Sequence, residues 1–203
     1  MKKLLLMLLI LSLSFTSYAW DYRDSIKSVI GGKNTNVSCN VNTDYLGNKE
    51  VEPNSDDDPI DYIECVEFEA SCSGTVNCNP NTANKYSTSL STGVTTISIY
   101  SGYTPGTADA NCVKMWTTST PVANGSLTWS AATMSGSGNM VNGQKYWMCW
   151  ANKTNVVRII HGAGSNIYCY KTCTGCADAM PANLAGMGNY TTMDISMYIT
   201  IGQ

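Results

Sequence analysis

Nine cysteines carry most of the reactive chemistry in this chain: Cys39, Cys65, Cys72, Cys78, Cys112, Cys149, Cys169, Cys173 and Cys176. The spacing Cys169-x3-Cys173-x2-Cys176 suits thiolate ligands of an iron–sulfur cluster in a reducing compartment. Cys173-Thr174-Gly175-Cys176 also has the form of a thiol-exchange site, where a helix N-terminus lowers the pKa of the attacking sulfur. With His161, Met180 and Met187 the same stretch offers soft donors to Cu(I). Which chemistry applies depends on the compartment in which the chain folds.

The N-terminus answers that question. Lys2 and Lys3 precede an apolar run from Leu4 to Phe15, and Ser17 and Ala19 put small residues where a signal peptidase reads. Residues 1–19 are therefore expected to be a cleaved signal peptide. The run is shorter than the ~20 residues a membrane-spanning helix needs. No cysteine follows closely for lipid attachment, and no later stretch is apolar enough to span, so the mature chain is expected without a transmembrane segment. The expected location is secreted, periplasmic or cell-surface. All nine cysteines follow residue 19 and become disulfide candidates. An odd number leaves at least one outside intramolecular pairing. A short Cys72–Cys78 loop and a bridge within Cys169–Cys176 are expected; the remaining connectivity is open. The iron, thiol-exchange and copper readings recede, because Pro181 cuts short any helix after Cys176 and the exported context favours cystines. No cofactor or metal ligand is assigned.

Other reactive groups meet similar objections. His161 is the sole histidine, so any Ser-His-Asp site must use it, yet no G-x-S-x-G elbow is present. It precedes Gly162-Ala163-Gly164 and reads as a turn residue. Asn54, Asp56 and Asp58 alternate as in an EF-hand, but Pro59 replaces the required glycine and Cys65 the bidentate glutamate. The densest part of the acidic stretch, bracketed by Pro53 and Pro59, thus reads as a solvated loop, with an irregular Ca²⁺ site as the alternative. Its carboxylates make a glycosidase pair only at the right separation in space. Trp116, Trp129, Trp147 and Trp150 lie among Asn, Thr and Ser, a composition suited to sugars or peptides. Within Tyr146–Trp150, Trp147 shares the parity of Cys149 and is expected inside, with Trp150 outside. Sequons stand at Asn36, Asn124, Asn152 and Asn189. A net charge of −3, more negative once Lys2 and Lys3 are removed, excludes nucleic acid as a partner.

The elements that position these groups are mainly strands. A short amphipathic helix is expected over residues 20–31, with Tyr22, Ile26, Val29 and Ile30 on one stripe. Tyr62–Ala70 alternates as a strand. Residues 73–93 read as a linker or a long surface connection. Val94–Tyr100, Cys112–Thr118, Ser126–Ala131, Lys145–Trp150, Val156–Ile160, Asn166–Tyr170 and Thr192–Ile201 follow as strands rich in Val, Ile, Thr, Tyr and Trp. Asn142-Gly143 signals a hairpin, and His161–Ser165 a turn. One helical turn fits within 177–189. The expected fold is mainly β: a disulfide-stabilised antiparallel β-sandwich or barrel with a short N-terminal helix. Residues 20–80 form a small Cys-containing region with the acidic loop, and 81–203 a β-rich domain, both allowed to be one domain. The functional expectation is a non-catalytic surface binding or structural module with a glycan or protein ligand. An exported hydrolase acting on a glycan or peptide, and a periplasmic thiol or metal-handling protein, are the alternatives.

Overall fold

The computed structural model describes residues 43–72, 78–87, 93–106, 112–123, 127–153 and 157–202. All belong to one compact unit, Val37–Gln203. The expected signal peptide, the helix over 20–31 and Cys39 lie outside the described residues.

Twelve strands make up the described fold: β1 Tyr45–Gly47, β2 Asn54–Asp58, β3 Tyr62–Ser71, β4 Asn79–Ser87, β5 Val94–Ser101, β6 Val113–Thr118, β7 Val122–Ala123, β8 Thr128–Gly136, β9 Lys145–Asn152, β10 Val157–Thr172, β11 Gly188–Ile195 and β12 Met197–Gly202. Neighbours run in the order β1-β12-β4-β8-β6-β5-β9-β3, and β3 returns to β1 through Leu46 opposite Ala70. Eight antiparallel strands thus close a barrel, which leaves no edge among them. β10 lies outside the ring against the first half of β3 and carries β2 and β11. Strands from both sides of residue 80 pair in this ring.

Alternation sorts the side chains. Val66, Phe68 and Ala70 of β3, Ile97 and Ile99 of β5, Tyr146, Met148 and Trp150 of β9, and Met197, Ile199 and Ile201 of β12 fill the interior. The opposite faces of β3, β5 and β9 carry Ile63, Cys65, Tyr100, Trp147 and Cys149 into a second buried layer. That layer is covered by Tyr103, Cys112 and the turns from Cys173 to Met187. Both faces of β9 are therefore covered. Trp147 and Trp150 are each 1% exposed, so Trp150 points into the barrel and not outward as expected.

Four local readings change. β2 is a strand within the acidic stretch read as a loop, because its charges find cross-strand partners on β10. The expected linker contains β4, whose Asn- and Thr-rich sequence hides a strand held between β12 and β8. The expected turn at 161–165 lies inside the continuous β10. There Gly162 and Gly164 leave no room for a Cβ beside the carboxylates of Glu52 and Asp194. Asn142-Gly143 does turn, with Gly143 at φ 73°, but it does not close a hairpin. It ties to the end of β3 through Gly143 N–H to Ala70 O at 2.9 Å, while β8 and β9 stand apart in the ring. Residues 177–187 form turns, and no described residue is helical. No helix of the described residues is long and apolar enough to cross a membrane.

Candidate functional site

The cysteines come first. Cys65 and Cys149 face each other across β3 and β9 and form a disulfide, with Cα atoms 4.0 Å apart. On the other side of Cys65, in register on β10, is Cys169. Cys173 and Cys176 are bridged, within the 169–176 segment where a local bridge is expected. The Cys72–Cys78 loop is not formed. Cys78 is disulfide-bonded, whereas Cys72 keeps a free thiol. Cys72 N–H donates to Asn142 Oδ1 at 2.9 Å, and Cys78 forms a two-way backbone bridge with Met140. Burial and the charge of Asp44 raise the Cys72 thiol pKa, which suppresses its thiolate. Cys112 lies buried, its sulfur accepting Leu184 N–H at 3.3 Å. The Cys173–Cys176 pair sits in a tight turn with Gly175 at φ 77°. No helix follows to activate a thiolate there.

His161 is a β10 residue, opposite Asn54 and Ile195. Its Nε2 lies 3.0 Å from Asp56 Oδ2, although off the hydrogen-bonding direction. No described hydroxyl or thiol is hydrogen-bonded to Nε2. Asp57 pairs instead with Arg158, Nε to Oδ1 2.8 Å. The acidic residues are thus divided among separate partners. Among the described residues, no group of three or more His, Cys, Asp or Glu is arranged to hold a metal ion.

Among the described residues, Asp58 and Glu64 form a buried pair of carboxyls. Both are buried, at 4% and 6% exposure. Glu64 shares the inward face of Val66 and Phe68. Asp58 ends β2 and accepts Trp150 Nε1–H at 3.1 Å. Tyr168 O–H donates to Glu64 Oε2 at 2.6 Å. The two carboxyls hydrogen-bond each other, which requires a proton between them. Burial raises both pKa values, and for Asp58 the charge of Glu64 raises it further. Asn152 steadies this corner: its Nδ2 donates to Asp58 O at 3.3 Å, and Thr95 Oγ1 donates to its Oδ1 at 2.8 Å. That sequon is therefore consumed by the fold. Asn189 is exposed; Asn36 and Asn124 lie outside the described residues.

Above the carboxyl pair opens a cleft of about 370 Å³ lined by Asp56, Asp57, Pro59, Tyr62, Tyr168 and Tyr170, with Asp58 and Glu64 at its floor. The Tyr62 and Tyr170 rings are 5.8 Å apart and the Tyr168 and Tyr170 rings 5.9 Å. Register explains the grouping, since Tyr62 faces Thr172 and Glu64 faces Tyr170 across β3 and β10. Of the sequence-flagged tryptophans only Trp150 reaches this region, stacked on Tyr168 from below at 6.2 Å. Trp147 packs on Tyr103 in the outer layer, and Trp116 donates to Gly138 O. Trp129 is wedged edge-on between Tyr86 and Tyr198. The cleft tyrosines were not singled out by sequence; their shared side follows from parity once the β3–β10 register is known. No protein-family model matches the chain, and no curated protein matches it at a significant level.

Proposed function

We propose that this chain is an exported, non-catalytic binding module and that the tyrosine-lined acidic cleft takes a polyhydroxylated ligand of the glycan class. The observation that carries this reading is the placement of the Tyr62 and Tyr170 rings beside the exposed carboxylates of Asp56 and Asp57. A tyrosine ring shields the C–H face of a sugar from water, and carboxylates accept charge-assisted bonds from its hydroxyls. Export is supported by the cystines, which persist in oxidising compartments.

The hydrolase alternative fits less well. A retaining glycosidase holds its carboxyls about 5 Å apart, and an inverting one wider still. Asp58 and Glu64 are within hydrogen-bond reach of each other, which leaves no space for a glycosidic bond between them.

Titration calorimetry against a panel of neutral and amine-bearing oligosaccharides tests the reading. Tyr170→Ala is expected to weaken the best binder about tenfold, roughly 1.4 kcal/mol. Binding by Tyr170→Ala and Tyr62→Ala equal to wild type, or no binding across the panel, would remove the cleft from consideration.

A further inference from the structure

The barrel interior holds an amine as well as two carboxyls. Lys85 lies on β4, on the inward face it shares with Ala83, and is 0% exposed. Its Nζ donates to Arg158 O at 3.2 Å, at the start of β10. The neighbouring position on β10, residue 157, is the one paired with Asp58. Lys85 thus reaches the backbone of β10 beside the position opposite Asp58, and the charges of the two interact. Asp58 Oδ2 is held by Trp150 Nε1–H, and its carboxyl is hydrogen-bonded to Glu64, which Tyr168 orients.

We propose that Lys85 and Asp58 become joined by an intramolecular amide bond between Nζ and Cγ, with Glu64 carrying the proton. In water an amine and a carboxyl are both ionised and do not condense. Here burial suppresses both charges. The Lys85 pKa falls to about 8 and that of Asp58 rises, so neutral amine and neutral acid become accessible together. Lys85 Nζ on Arg158 O and Asp58 opposite residue 157 are both set against the start of β10, which replaces a bimolecular encounter with an intramolecular one.

The step balances without any added reagent. The Lys85 nitrogen lone pair attacks Asp58 Cγ and forms the N–C bond, while Trp150 N–H stabilises the charge growing on Oδ2. Glu64 takes a proton from nitrogen and passes it to the departing hydroxyl oxygen. The C–O bond breaks and one water leaves. Nothing is oxidised or reduced. Lys85 is not among the residues that line the cleft, and the amide is read as a covalent mass change whatever the cleft binds.

Intact mass spectrometry of the purified, fully reduced mature chain is the test. The expected mass is that of the mature sequence less one water, and digestion is expected to yield a branched peptide containing both Lys85 and Asp58. Asp58→Asn is expected to lose one ammonia instead, and Lys85→Arg to show the full mass. Glu64→Gln is expected to retain the full mass while keeping a β-sheet circular dichroism spectrum. Folded wild-type protein at the full sequence mass, with Lys85 and Asp58 in separate peptides, would overturn the proposal. A water-loss mass surviving in Lys85→Arg would do the same.

Discussion

The two faces of β3 and β9 are both buried, but against different chemistry. Inside the barrel, Val66, Phe68, Met148 and Trp150 pack with the Lys85–Asp58–Glu64 cluster. Outside it, Cys65, Cys149 and Trp147 pack under irregular turns and the Cys173–Cys176 bridge. The inner layer is sealed by a closed ladder of eight strands. The outer layer is sealed by segments with few ladder hydrogen bonds, whose ordering costs conformational entropy that the ladder does not offset. The Cys65–Cys149 and Cys173–Cys176 bridges therefore stand under the weaker cover, and the Lys85, Asp58 and Glu64 groups under the closed ladder. A buried charge needs partners, and the inner layer supplies them through Trp150, Tyr168 and the β10 backbone.

The largest expected effect breaks the outer layer. Removing the Cys65–Cys149 bridge, with a sequence separation of 84, by the double change Cys65→Ala and Cys149→Ala is expected to cost roughly 4–5 kcal/mol in urea unfolding. The Cys173→Ala, Cys176→Ala double variant removes a bridge with a sequence separation of only 3 and is expected to lose about 2 kcal/mol. Equal losses for the two would mean that chain entropy does not set their contributions.

The inner layer is sharpened by pH. In Lys85→Met protein no amide can form, so Asp58 and Glu64 both remain ionisable. Their folded-state pKa values lie above 3.8 and 4.5. As pH rises, the unfolded chain releases these protons first, so the folded state binds more protons and stability falls. Stability is full below about pH 4 and is lost as pH climbs through the folded values. Urea midpoints at pH 4 and pH 7 check this; a midpoint that rises with pH would contradict it. Adding Glu64→Gln is expected to flatten the decline. The smallest effect belongs to the surface: Arg158→Ala, which breaks the pair with the 59%-exposed Asp57, is expected to cost less than about 1 kcal/mol.

These contrasts were unequally legible in the sequence. Alternation at Tyr62–Ala70 and in the Thr192–Ile201 stretch reveals strands, and the shared parity of Trp147 and Cys149 places both in one layer. The same parity rule misplaces Trp150, because it assumes that a strand has one wet face and β9 has none. At Ser196 the chain passes from β11 to β12: its N–H bonds Ile160 O on β10, while its carbonyl accepts Tyr86 N–H. Alternation alone does not show that change of partners. Asp58 and Lys85 look like ordinary surface charges in polar stretches, while Glu64 shares the parity of Val66 and Phe68 with no partner in view. Only the closure of the barrel, which depends on pairings between distant segments, turns them into a buried cluster. Their candidate role therefore emerges at the level of topology, as does the grouping of Tyr62, Tyr168 and Tyr170.

That the two layers are secured by different means is tested most directly by a peptide map of the protein from its native compartment. Run before and after reduction, the map is predicted to show Cys65–Cys149 and Cys173–Cys176 peptides that separate on reduction, and a Lys85–Asp58 peptide that does not. Recovery of Cys65 and Cys149 as alkylated thiols without any reductant, with Lys85 and Asp58 unlinked, would contradict it.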